Sequence, residues 1–149
     1  MAAALAEADL AGAAGDVPVG AIVVSAAGDL VSRDHNRREA LGDPTAHAEI
    51  LALRAASSVV GEWRLAGCTL VVTLEPCAMC AGAAVLARVD RVVYGCADPK
   101  AGAAGSVWDL VRDRRLNHRP EILTGVRSSE CSDMLQRWFA AHREPPDLK

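Results

Sequence analysis

Thr45-Ala46-His47-Ala48-Glu49 and Thr73-Leu74-Glu75-Pro76-Cys77-Ala78-Met79-Cys80 hold the side chains of this sequence best suited to chemistry. They read His-x-Glu and then Pro-Cys-x-x-Cys. One imidazole and two thiols are ligands for a single zinc ion, and ligand number separates two kinds of zinc site. Four protein ligands close a structural site, whereas three leave a catalytic site with one open position. His47, Cys77 and Cys80 make three, so one Zn2+ per chain is expected. Glu49 is then a spare acid beside the open position, where zinc lowers the pKa of water to roughly 7.

The elements that must carry these residues can be read locally. Pro76 suits the first position of a helix, because its missing N–H would have no partner there and its φ is pre-set. Cys77 and Cys80 then stand three apart on one helix face. The partial positive charge of a helix N-terminus favours thiolate over thiol. Thr45, or Asp43 followed by Pro44, can cap a second helix and place His47 in its first turn. Glu49 then lies about 200° around the helix from His47, so the two do not chelate side by side. Each half has other readings: Cys-x-x-Cys also serves as a redox pair or as half of a structural zinc site. A closed, non-enzymatic zinc module needs a fourth ligand, Cys68 or Cys96, and leaves Glu49 without a role. The proline, and a helix expected behind each half, favour the catalytic site.

A chain of 149 residues is expected to form a single domain, residues 1–149, with a normal core. Aromatic residues are 3% of it, so Val, Leu, Ile and Ala must build that core. The net charge of −3 gives no global sign of nucleic-acid binding, and any RNA contact must come from a local patch. Five cysteines, two of them at metal spacing, point to a reducing, cytoplasmic setting rather than a disulfide scaffold. Cys68, Cys96 and Cys131 lie in apolar segments and read as small buried hydrophobes. The apolar start carries Glu7 and Asp9 and lacks a basic segment, so it reads as a helix rather than a signal peptide. No run of 18 apolar residues occurs, and no membrane span is expected.

In chain order, residues 2–14 read as an alanine-rich helix, 21–24 as a buried strand and 29–35 as its hairpin partner. Residues 36–43 read as a polar loop, and 46–59 as the first metal helix with Ile50 and Leu53 inward. The β-branched stretch 69–74 reads as a central strand. It leads into the second metal helix, 77–87, followed by a strand over 91–95. This alternation implies parallel strands with helices packed on them, and ligands collect at the C-terminal ends of such strands. The glycine-rich stretch 98–106 lacks phosphate-loop spacing and reads as a surface loop. Ser106 can cap a short helix to about Arg112, and 122–126 can form a last strand. Cys131, Met134, Leu135, Trp138 and Phe139 follow helical spacing toward the core, and 144–149 reads as a frayed tail. Arg112, Arg114, Arg115, His118 and Arg119 are either a solvated loop or a phosphate-contacting patch. Together with Arg37, Arg38 and Lys100, these arginines are expected around the active-site face.

With these residues in view, the chain resembles the cytidine-deaminase-like zinc deaminases, and most closely the tRNA-specific adenosine deaminases. The resemblance runs from Val17-Pro18-Val19-Gly20-Ala21 through 43–50 and 73–82 to 98–106 and Asn117-His118-Arg119. The zinc signature is shared by many deaminases, whereas the last two segments favour the tRNA branch. The resemblance implies an α/β fold, a three-layer α/β/α sandwich around a five-stranded mixed sheet, and a homodimer. It implies His47, Cys77 and Cys80 as zinc ligands and Glu49 as proton shuttle. Asn36 and Ala48 would hold the target base, with Asp98 and Lys100 beside the flanking nucleotides and Asp98 facing a ribose 2′-hydroxyl. The implied reaction is hydrolytic conversion of the wobble adenosine to inosine in a tRNA anticodon stem-loop. A deaminase of free bases or nucleotides, acting on guanine or cytosine, shares every metal residue and stays open.

Overall fold

A computed structural model describes residues 1–143. Five strands form one mixed sheet in the order β2-β1-β3-β4-β5. They are β1 (Gly20–Val24), β2 (Leu30–His35), β3 (Thr69–Leu74), β4 (Arg91–Cys96) and β5 (Glu121–Leu123). The β1–β2 hairpin is antiparallel, and β1 also runs antiparallel to β3. β3, β4 and β5 are parallel, as the strand–helix alternation implied.

Strand periodicity sorts the core into two faces. Ala21, Val23, Leu70, Val72, Val92 and Tyr94 belong to one buried cluster together with Ala48, Ala52 and Ala56 of α3 (Ala48–Val60) and Ala81 and Ala84 of α4 (Ala78–Leu86). Ile22 and Val71 meet Ala4 of α1 (Ala2–Ala13), while Cys96 meets Leu5 of α1 and Cys131 of α5 (Ser128–Ala141). Helices therefore cover both faces, which makes three layers. The small residues of α1 let it lie almost on the sheet. A Cβ at Gly20 would collide with the Ala4 carbonyl and the Ala8 amide.

Several boundaries differ from the sequence reading. Residues 36–43 contain a single-turn helix, α2 (Arg38–Leu41). Ser106 caps no helix, and a 3-10 turn forms instead at Leu110–Arg112. The last strand starts and ends earlier than 122–126. On α5, Cys131 is buried, but Phe139 is 47% exposed and does not face the core. The expected tail at 144–149 lies outside the described residues. Among the described residues, no helix is long and apolar enough to cross a membrane.

α2 stands at the entrance to the cleft described below, and a buried acid holds it there. Asp16 is 2% exposed and accepts hydrogen bonds from the Val17, Glu39 and Arg38 N–H groups at 2.8–3.3 Å. Burial raises its carboxyl pKa, but these bonds outweigh burial and hold it below its ordinary 3.8. A folded-state pKa below the unfolded one stabilises the fold above the unfolded value, and that stability is lost as pH falls through the folded value. Asp16→Asn should therefore lower stability at pH 7 by about 1–3 kcal/mol. In thermal melts, the gap to the wild type should begin to narrow as the pH falls below 3.8 and close as it passes the lower folded-state value. A gap that is constant across that range would exclude the charge as the cause.

Candidate active site

β3 ends at Leu74, and the next residues deliver two sulfurs. Cys77 is the N-cap of α4 in extended conformation, and Cys80 is the third residue of the helix. Pro76 thus precedes the cap instead of opening the helix. A parallel shift occurs at α3, where His47 is itself the N-cap, with φ −74° and ψ 149°. Asp43 does not cap α3. Its Oδ1 closes a local turn with the Thr45 N–H at 2.8 Å and the Thr45 hydroxyl at 2.7 Å. The sequence reading had both metal segments starting their helices one residue or more too early.

The caps meet. His47 Nδ1 is 3.7 Å from Cys77 Sγ and 3.6 Å from Cys80 Sγ. A tetrahedral zinc with bonds of about 2.3 Å to sulfur and about 2.1 Å to nitrogen separates such atoms by about 3.6 Å. These three residues therefore fit zinc on geometry as well as on donor type. Among the described residues, neither Cys68 nor Cys96 joins this group. Cys68 stands just before β3 at the far end of the sheet, and Cys96 Sγ donates to the Thr73 carbonyl at 3.6 Å. No fourth cysteine closes the site.

Charge at the cluster is shifted strongly. The Cys77 thiol is pulled down to about 4, first by the hydrogen bond from Cys80 and then by its bond to His47, against the effect of burial. The Cys80 thiol is pushed up by that same bond to Cys77 and by burial. The bond to Cys77 raises His47. Glu49 is 4% exposed, and burial pushes its carboxyl up to about 7.

These groups open into a cleft of about 590 Å³ lined by His47, Glu49, Cys77, Asn36, Arg38, Asp98, Lys100 and, from α5, Leu135, Gln136 and Phe139. The Asn36 amide is held on two sides. Its Oδ1 accepts from the Ala48 N–H at 2.9 Å and its Nδ2 donates to the Val17 carbonyl at 3.1 Å. One N–H of Nδ2 remains for a ligand. The Ala48 N–H is used on Asn36 and so orients that side chain. Asp98 Oδ1 accepts from the Lys100 and Ala101 amides at 2.9 and 3.2 Å, which fixes the turn carrying Lys100.

The expected basic rim is divided. Arg38 and Lys100 line the cleft. Arg119 and His118 line a separate depression with Thr69 and Arg91, at the opposite end of β3. A six-residue strand puts these ends about 20 Å apart. Arg112 pairs with Asp109 at 2.9 Å and Arg115 with Asp113 at 2.6 Å. The sequence reading assigned no role to Glu75, which is 1% exposed and lines the same cleft. An acid placed between an apolar strand and Pro-Cys was the available signal.

Residues 1–96 match the family model of the cytidine and deoxycytidylate deaminase zinc-binding region. A tRNA-specific adenosine deaminase of Bacillus subtilis (strain 168) is 46% identical over 141 residues, which is 95% of this chain and 87% of that protein. The chain belongs to the zinc deaminases, in the tRNA-specific adenosine deaminase family. A solved structure from a study of A-to-I editing by tRNA:A34 deaminases at the wobble position of transfer RNA matches this deaminase with a TM-score of 0.87. The two are 43% identical, and the match covers 91% of this chain and 97% of the other. A guanine deaminase of Nitrosomonas europaea matches with a TM-score of 0.77 at 26% identity, covering 92% of the deaminase and 81% of that chain.

Cys77→Ala and Cys80→Ala in this deaminase should each lose zinc and stability together, because binding energy at such a site is also folding energy. Cys68→Ala should keep one zinc per chain. Elemental analysis of the purified variants checks this. A zinc-free Cys68→Ala beside a zinc-loaded Cys80→Ala would overturn the ligand assignment.

Proposed function

We propose that this deaminase converts adenosine to inosine at the wobble position of a tRNA anticodon loop. The observation that carries the reading is a set of three protein ligand atoms with a separate buried carboxylate, Glu49, in a cleft edged by Arg38 and Lys100. His47, Cys77 and Cys80 would hold the zinc, which would supply the Lewis acidity that makes a nucleophile of water at neutral pH. Glu49 takes a proton from the attacking water and passes it to the adenine ring nitrogen as C6 is attacked. It then takes the second proton from the new C6 hydroxyl and gives it to the departing amine as the C6–N bond breaks and the carbonyl forms. Water and adenosine become inosine and ammonia. A buried carboxyl, which burial pushes above its ordinary value, can both accept and return a proton. The remaining N–H of Asn36 is available to an acceptor on the base. Arg38 and Lys100 are available to backbone phosphates, whose contacts position a strand while the pocket reads the base. The base must leave its stack to enter, which a single-stranded loop permits at small cost.

The guanine deaminase likeness supports a second reading, the free-base reaction. A synthetic anticodon stem-loop with a wobble adenosine, assayed beside free adenosine and free guanine, separates the two. The stem-loop should be deaminated and the free compounds should react poorly, because they lack the remote contacts whose binding energy drives the chemistry. Glu49→Gln should keep its zinc and lose roughly 10²–10⁴-fold or more in rate on the stem-loop. Fast turnover of guanine with none of the stem-loop would replace this reading with the free-base one.

The domain is proposed to act as a single unit, residues 1–149, in the cytoplasm and as a homodimer. Support for the dimer comes from an apolar groove between α3 and α4, lined by Ile50, Leu53, Trp63, Ala83 and Leu86, with Leu86 69% exposed. Patches of this kind on a small protein mark association sites. Sedimentation at micromolar concentration should give twice the chain mass, and Leu86→Glu should give the monomer. A wild-type monomer would remove the dimer from the reading.

A further inference from the structure

Glu75 is a buried acid with no part in the proton transfers above, and its hydrogen bonds go to one loop. Oε1 accepts from the Ala104 amide at 3.1 Å and the Ser106 amide at 3.0 Å. Oε2 accepts from the Asp98 amide at 2.9 Å and from the Ser106 hydroxyl. The start and the end of the 98–106 loop are thus tied to one carboxylate. The backbone of the loop also lies on the segment that follows Glu75. The Ala103 amide donates to the Pro76 carbonyl at 2.8 Å, and Gly102 forms a β-bridge with Cys77. A Cβ at Gly102 would collide with the Glu75 carboxylate itself. The loop and the metal-bearing segment are therefore in register through the Glu75 carboxylate and the backbone contacts beside it.

We propose that Glu75 is a positioning residue, which holds the 98–106 loop so that Asp98 and Lys100 stand at a set place relative to the reacting base. This rests on the reading above, in which that loop meets the nucleotides beside the target adenosine. A carboxylate suits the task because its two oxygens accept all four donors. A glutamine cannot. With its oxygen in the Oε1 place, it keeps the Ala104 and Ser106 amides, and the Ser106 hydroxyl turns to accept from its NH2. The Asp98 N–H is then left facing a donor. Glu75→Gln thus releases one end of the loop, the end that carries Asp98 and Lys100 into the cleft.

The test compares Glu75→Gln with the wild type on the wobble-adenosine stem-loop, with zinc content and melting temperature measured on the same preparations. Zinc should stay at one per chain and kcat near the wild-type value, while KM rises about tenfold. Adding Lys100→Ala should raise KM less in the Glu75→Gln background than in the wild type, because the two act through one loop. If Glu75→Gln does not fold, Ser106→Ala removes one donor without touching the carboxylate and should raise KM in the same direction. An unchanged KM overturns the proposal. So does a fall in kcat that follows zinc loss, or a Lys100→Ala effect that is simply additive. A wild-type protein inactive on the stem-loop would overturn the reading of the reaction itself, and this proposal with it.

Discussion

Two helix N-termini point at one place in this molecule, and much else is arranged around that. α3 starts at Ala48 behind the cap His47, and α4 starts at Ala78 behind the cap Cys77. Each terminus carries about half a positive charge and amides without intrahelical partners. Bringing both ends together, with His47 Nδ1 within 3.7 Å of the sulfurs, favours negative charge between them. Thiolate sulfur supplies that charge, and a dication shared by the caps then holds the helices in register. One free amide of α3, that of Ala48, is used on Asn36, so the same helix end also orients a side chain that lines the cleft.

Two buried glutamates sit beside this cluster, and their environments drive them in opposite directions. Glu49 and Glu75 are 4% and 1% exposed. Burial dominates at Glu49 and lifts it to about 7. Burial acts on Glu75 as well, but four donors from the 98–106 loop outweigh it and hold that carboxyl below its ordinary value. Hydrogen-bond supply, rather than depth, separates the raised carboxyl from the lowered one. The second glutamate connects the metal segment to the loop that carries Asp98 and Lys100 into the cleft, so both walls of the cleft share a frame.

The sheet explains why these parts lie on one side. β3 and β4 are parallel neighbours, and both leave the sheet at the same end. β3 leads to Glu75, Cys77 and Cys80, while β4 leads to Asp98 and Lys100. β1 runs antiparallel to β3, so β2, antiparallel to β1, returns in the direction of β3 and brings Asn36 to that end. α1 and α5 close the opposite face, and α5 adds Gln136 and Phe139 to the cleft.

Local chemistry determined the metal set. Ligand type, the three-residue spacing and the flanking proline singled out His47, Cys77, Cys80 and the spare Glu49, because each half carries its own local pattern even though the halves lie 30 residues apart in the chain. The central strand at 69–74 was legible to the residue, since a β-branched run buried on both faces has little alternative. Tertiary structure decided the rest. His47 and Cys77 became caps because their backbones must turn toward each other, a demand that neither segment carries alone. The partners of Glu75 come from 23 to 31 residues away, where no local pattern could announce them. Arg119 and Lys100 looked equivalent as loop cations, yet they lie at opposite ends of the sheet. A chain that enters a parallel strand must first return to that strand's N-terminal end, so residues just before β5 are carried away from the site. Which end of the sheet a loop occupies depends on strand direction, which residue type does not encode.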